Sequence, residues 1–441
     1  MSANAANAPE QARPREIPRG LLATCLVLIA FGAIAFLVGV WTNADTAWRA
    51  FHVNYLFFGS LAQGGIVLAC TLVIVGAKWP GPVRRIAESL GAWVPFTLLL
   101  FIIGFAGGRE SVYVNWLHHP PASKAAWLQP ARLFWMDLAI FAWLGLLSTA
   151  FLYNSVRPTL GGVAERVQGP SRALFARWTA GWQGDEIERA KSARRCGTLA
   201  PIICLSYAFG WSFIAFDQVM SLSPTWYSNL FGAYVSWGGY LNAVAATALL
   251  AVLHRREPGL EGEITRARMH DLGKMIFAFS IFWMYLFWAQ YLVIWYGNLP
   301  EETAFIRSRL GSQFLVDKSR IGSMFLSQTW SLRYFAERLR EPYAKVTLTV
   351  WACCWIVPFW VLLGQRPKRT PAILGTVAAI VVGGFWLERN ILIWPSLVPD
   401  DSFSWLGFVQ LGIAGGFLGA FGLVFLTYTR VFPSLAVPRR S

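Results

Sequence analysis

Residues 269–303 read MHDLGKMIFAFSIFWMYLFWAQYLVIWYGNLPEET. His270, Asp271 and Lys274 open the stretch, and Asn298, Glu301 and Glu302 close it. Between them runs an almost wholly apolar segment that carries Gln290, Tyr285 and Tyr291. A helix needs about 20 such residues to cross the hydrocarbon core of a bilayer, and this segment is long enough. The stretch therefore predicts a membrane-spanning helix with ionisable groups at both mouths. Two readings stay open: a plain span with polar ends, or the wall of a hydrated half-channel or headgroup pocket.

The rest of the chain has the same character. It is 56% hydrophobic and only 14% charged, with mean hydropathy +0.46, 23 Trp and 32 Phe. A soluble chain carries about 25% charged residues, so an aqueous core does not account for this much apolar surface. Windows of at least 18 nearly uncharged residues fall at roughly 21–41, 53–77, 90–106, 131–153, 199–222, 230–253, 272–298, 345–363, 371–388 and 405–429. Lipid leaves no backbone polar group satisfied except within a helix or a closed barrel, and uniform apolarity without alternation rules out the barrel. The expectation is an all-α integral membrane protein with ten transmembrane helices. The polar segment 1–20 lacks the small-residue cleavage site of a signal peptide and is expected to stay as a tail.

Lys and Arg orient the spans. About two thirds of the 38 fall in the segments that share a side with the N-terminus, which predicts both termini in the cytoplasm. Much of the +15 net charge is this bias, so it gives no argument for nucleic acid. The long loop 299–345 is basic yet lies on the outer side, either because its length lets it translocate or because it docks a partner.

Internal similarity appears at a period of about 170–180 residues. FGSLAQGGIVLACTLVIV from Phe58 resembles FGAYVSWGGYLNAVAATALLAVL from Phe231. AESLGAWVPF from Ala87 resembles MHDLGKMIFAF from Met269, and FDQVMSLSP ending at Pro224 resembles LERNILIWP ending at Pro395. A displacement of four helices preserves orientation, so the copies are expected to be parallel four-helix bundles related about the membrane normal. The predicted organisation is a tail at 1–20, a flanking helix in 21–52, a first bundle in 53–229, a second in 230–400, and a flanking helix with a tail in 401–441.

His52, His118, His119, His254 and His270 all fall at expected helix ends or in loops, which suits no membrane haem. Cys25, Cys70, Cys196, Cys204, Cys353 and Cys354 have no cluster spacing, so neither an iron–sulfur centre nor a metal site is expected. Any redox chemistry would have to pass through a partner.

What remains are ionisable groups in or near the spans, where charge in lipid is costly and often functional. Asp137 lies six residues inside the fourth span. It suits a proton relay, or interhelical glue paired with Arg132 or a Trp N–H. Asp217 and Glu388 hold equivalent repeat positions near outer helix ends, with Arg389 beside the latter; they suit a proton or quinone role, or interface ion pairing. Asp271 is expected to cap the seventh helix, with His270 and Lys274 stacked at i and i+4. Arg109 and Glu110 end the third span as Glu301 and Glu302 are expected to end the seventh. His270, Asp271, Lys274, Gln290 and Tyr285 join Asp137, Asp217 and Glu388 as proton-relay candidates.

FDQVMSLSPTWYSNLFG at 216–232, HDLGKMIFAFSIFW at 270–283 and IWYGNLPEET at 294–303 together resemble the NrfD-like, polysulfide-reductase-type membrane anchors. The resemblance is strongest to the smaller of the two such anchors in bacterial alternative complex III, a respiratory or photosynthetic quinol:electron-acceptor oxidoreductase. It implies two four-helix bundles plus two flanking helices in the bacterial cytoplasmic membrane. The implied partners are a sister anchor, a periplasmic iron–sulfur/molybdopterin-like subunit, multihaem or monohaem cytochrome c subunits, and lipid. The chain itself would hold no metal or haem; a quinone or quinol is its one implied cofactor. A quinone pocket would fall in the first bundle, with His52, Asn54, Arg109, Glu110, Asp137 and Asp217 as candidates. The competing class is a secondary transporter built from the two parallel repeats.

Overall fold

The computed structural model describes residues 17–164, 171–257, 260–310, 342–399 and 406–432. Most of segment 1–20, the middle of the loop 299–345 and the end of the tail 401–441 therefore lie outside the described residues. Helix is the one regular element among those residues, with no strand. Nine helices are long and apolar enough to cross a membrane among the described residues.

The longest, α1 (Arg19–Ile74), would reach about 84 Å if straight, far more than one bilayer. It is not straight. Asn43 leaves helical geometry (φ −156°, ψ 88°) and its Oδ1 accepts a hydrogen bond from Thr46 N at 3.0 Å, so it caps a second helical segment. The chain reverses there: the Phe36 ring lies 5.8 Å from that of Phe51, and 5.0 Å from Trp48. The α-helices continue as α2 (Pro82–Leu90), α3 (Val94–Val112), α4 (Pro130–Ala164), α5 (Ser171–Trp178), α6 (Asp185–Gln218), α7 (Phe231–His254), α8 (Arg266–Gly297) and α9 (Pro300–Leu310). Then come α10 (Pro342–Trp351), α11 (Val357–Val361), α12 (Gln365–Arg369), α13 (Pro371–Leu397) and α14 (Phe408–Val431).

Two junctions have identifiable causes. A 3-10 turn at Gly91–Trp93 joins α2 to α3, extending the predicted third span back to Pro82. A π-helical turn at Ala352–Ile356 joins α10 to α11 just before Pro358, whose missing N–H and ring forbid a regular ladder.

The centre is α7 against the second half of α1. Both are buried nearly all round, and both are rich in small residues where they meet. A Cβ on Gly64 would stand 2.6 Å from the Gly239 carbonyl oxygen, so the Gly-Gly pairs of the two similar segments let the backbones touch. On the flank, α14 lies along the first half of α1: a Cβ on Gly32 would stand 2.3 Å from the Gly416 Cα. Outward faces carry exposed Leu26, Val27, Leu37, Phe209 and Val293, the apolar belt that lipid covers.

Candidate functional site

The antiparallel run of α4 and α6 brings the start of one beside the end of the other. There Arg132 meets Asp217 through two parallel hydrogen bonds, Nη2 to Oδ1 at 2.6 Å and Nη1 to Oδ2 at 2.8 Å. Its guanidinium also covers the Trp127 ring at 4.0 Å. Arg132 therefore partners Asp217 and not Asp137, correcting the pairing weighed from sequence. Asp217, for which ion pairing was the alternative to a proton or quinone role, is ion-paired and fully buried.

One residue further along α6, Gln218 turns inward and becomes a hub. Its Oε1 accepts from Tyr55 and from Tyr113, each at 2.6 Å. Its Nε2 donates to Asp137 Oδ2 at 2.5 Å, and its carbonyl oxygen lies 2.8 Å from His52 Nε2. Asp137 and Asp217 are close enough to interact electrostatically, and Asp137 Oδ1 has no hydrogen-bond partner among the described residues. Two buried carboxylates thus face one guanidinium, while Tyr55 and Tyr113 join Asp137 on the side-chain amide of Gln218 and His52 contacts its backbone carbonyl. Sequence reasoning passed over Gln218, Tyr55 and Tyr113. The available signals were the FDQ triplet and the i, i+3 spacing of His52 and Tyr55, which puts both on one face of α1.

The other candidates scatter. His52 belongs to the network, and it lies inside α1 and not at a helix end or in a loop. Asn54 faces the second half of the molecule, accepting from Trp386 Nε1 at 3.0 Å. Arg109 and Glu110 are exposed, the latter against His118 at 2.8 Å. At the entrance of α8 the cap is Thr265, whose Oγ1 accepts from Arg268 N, not Asp271. Asp271 instead pairs with exposed Lys274 at 2.7 Å. Tyr285 is exposed on the outer face while Gln290 points inward, so α8 does not line one continuous path with both. Asn298 takes a left-handed conformation (φ 52°) that ends α8. Glu301 and Glu302 do not end that helix; they open α9, where its N-terminal dipole favours acids.

Two further polar clusters stand in the first half. Gln63 Nε2 donates to Ser148 Oγ at 3.0 Å, midway along α4. At its far end, buried Glu88 accepts from Arg84, Arg85 and Ser155, beside a cavity lined also by Arg189 and Ser192.

In the second half, Glu388 and Arg389 are both buried, with Nη1 3.4 Å from Oε2. Glu388, Gln290, Arg309 and Tyr234 line a cavity between α7, α8, α9, α10 and α13. Arg309, absent from the sequence-based candidates, donates to Leu392 O and Ser396 Oγ, each at 2.7 Å. Among the described residues no three His, Cys, Asp or Glu side chains converge at metal-ligand spacing. No protein-family model matches the chain, and no curated protein matches it significantly.

Proposed function

We propose that the chain is an NrfD-like membrane anchor of a quinol:electron-acceptor oxidoreductase of the alternative complex III type, whose first bundle carries protons. The carrying observation is the Gln218 hub: the FDQ residues on which the resemblance rests are the ones at the centre of the buried network. Electrons leave through the partners, a periplasmic iron–sulfur/molybdopterin-like subunit and cytochrome c subunits, with a sister anchor alongside. The chain holds this assembly together in the bacterial cytoplasmic membrane and supplies no redox centre of its own.

The reversal at Asn43 supports ten crossings, the two halves of α1 counting separately. The contact of Ser223 Oγ with Ser396 Oγ at 2.8 Å supports two parallel bundles, because it puts the ends of the two carboxylate-x6-Pro segments side by side.

A proton route follows the first bundle. Two carboxylates against one guanidinium leave a buried negative charge that a proton on Asp137 cancels, and Oδ1 is the oxygen left free to carry it. Ser148 with Gln63 lies about 16 Å further along α4, and the Ser155–Glu88 cluster about 10 Å beyond that, at 1.5 Å per residue. On this reading the side chains act as fixed stations, and intervening water would carry the proton between them.

The test is Asp137→Asn, which keeps shape and the bond from Gln218 while removing the titratable proton. Quinol-driven proton release in membranes is expected to fall at least about tenfold with assembly intact, while Glu302→Gln, far from the network, stays at wild-type rates. A wild-type rate for Asp137→Asn would reduce Asp137 to interhelical glue.

A further inference from the structure

Four apolar helices of the first half end together. The last turn of α1, the start of α2, the end of α4 and the early turns of α6 enclose a cavity of about 760 Å³ with a wide mouth. Its charged lining is cationic throughout: Arg84, Arg85 and Arg189, with no acid among the lining residues. Basic helix ends satisfy the charge bias of spanning helices wherever their side chains point, but here two of the three are fixed. Buried Glu88 accepts from Arg84 Nε at 2.9 Å and from Arg85 Nη1 at 2.7 Å. Ser155 Oγ accepts from both guanidinium groups, at 3.0 and 2.8 Å. These bonds occupy Nε and Nη2 of Arg84 and Nη1 of Arg85. Among the described residues, Nη1 of Arg84 and both Nε and Nη2 of Arg85 donate to nothing. One carboxylate thus positions two guanidinium groups and cancels one of their charges. Arg189 is exposed, and its nearest acid is exposed Asp185 at 3.9 Å.

The remaining wall is apolar and built of small side chains. Leu72, Val73, Ala77 and Pro158 line it with Ala193 and Gly197. A Cβ on Gly197 or on Gly76 would meet nothing within 4 Å, so neighbouring side chains leave this space open. Exposed Ile74 and Val75, next to this wall, mark the margin of the apolar belt. An occupant has to present an anion to the arginines and hydrocarbon to the wall, side by side at the edge of the membrane. Inorganic phosphate leaves the apolar wall unused. A zwitterionic headgroup brings an ammonium that the uncancelled guanidinium charge repels. A phospholipid of net negative charge meets both halves, and arginine is the side chain whose planar fork matches phosphate oxygens.

We propose that the cavity bounded by Arg84, Arg85 and Arg189 binds the headgroup of an anionic glycerophospholipid. Its phosphodiester lies on the guanidinium groups, and its glycerol and first acyl carbons lie against Leu72, Pro158 and Gly197. The proposal needs only that the chain spans a membrane, and it stands apart from the assignment to a quinol-oxidising complex. The bias of Lys and Arg predicts the cytoplasmic side for this end, where basic pockets between spanning helices take anionic headgroups.

The test reconstitutes the full-length chain in nanodiscs of equal phosphatidylglycerol and phosphatidylcholine, then counts the lipids retained on release by native mass spectrometry. The wild type is expected to retain phosphatidylglycerol over phosphatidylcholine by at least about tenfold, as charge-assisted hydrogen bonds imply. Arg189→Gln, which leaves the Glu88 pairs intact, and Gly197→Leu, which fills the open slot without changing charge, should each reduce that preference several-fold. Arg366→Gln, at an exposed arginine of α12 outside the cavity, should leave it unchanged. Equal retention of the two lipids overturns the proposal without any variant. A preference that survives both cavity variants overturns it by assigning the lipid to the basic surface at large. Displacement of the retained lipid by millimolar glycerophosphoglycerol, the same headgroup without chains, overturns it in favour of a soluble anion.

Discussion

Arg132 shows how much one side chain decides. It neutralises Asp217 through two short bonds, and replacing it with Met leaves that carboxylate buried without its counter-ion. Breaking a buried pair this way costs roughly 3–5 kcal/mol, whereas replacing both partners with neutral groups costs much less. Arg132→Met is therefore expected to lower the thermal unfolding midpoint sharply in detergent, and the double variant Arg132→Met/Asp217→Asn to recover a large part of it. Additive losses would show that the two residues stabilise independently. The pairing also marks a limit of legibility. Asp137 and Asp217 both stand out as charges in apolar runs, but which takes Arg132 depends on the rotation of α4 against α6, and no spacing along the chain encodes it. Gln218, Tyr55 and Tyr113 were harder still. A neutral amide or phenol at a span's end looks like ordinary interface composition until the neighbouring helix is in place.

At the level of elements, apolar length was the strong signal. Every window read from the sequence lies within or overlaps a helix of the structure, because lipid demands satisfied backbone regardless of detail. Boundaries were weaker, since charged first turns continue the helix beyond the bilayer, as at Asp185–Gln218 and Arg266–Gly297. Caps were misassigned where two polar residues competed: Thr265 takes the role expected of Asp271 because it stands six residues earlier, in extended geometry just before the first helical turn. Close helix approach was not read at all, although its residues are visible as glycines. Between α1 and α14 the contact is backbone on backbone, and a methyl on Gly32 would collide with Gly416 Cα. Gly32→Ala is expected to cost about 1–3 kcal/mol, read as a lower unfolding midpoint. Gly145→Ala, with open space around its Cβ position, should be neutral or slightly stabilising. Equal behaviour of the two variants would mean that α14 yields at no cost.

For the whole molecule, the reversal at Asn43 decides the number of crossings. With the halves of α1 as separate spans, exposed Ala44 and exposed Lys78 lie on opposite faces of the membrane. Single cysteines at 44 and 78 are then expected to react with an impermeant maleimide from opposite sides of sealed vesicles, in a background lacking the native thiols. Labelling from one side alone would remove a crossing and with it the paired-bundle arrangement. The two halves of the chain are also tied at one end. Asn115 donates to both Leu222 O and Ser396 O, at 2.7 and 2.8 Å, while Ser223 and Arg309 each bond the hydroxyl of Ser396. At mid-depth the glycine backbones of α1 and α7 touch without clearance. A machine that works by rocking its halves needs a hinge at one end and slack in the middle; this one is riveted in both places. On the proposed reading such a body serves as a mount, holding whatever docks on it at fixed distances.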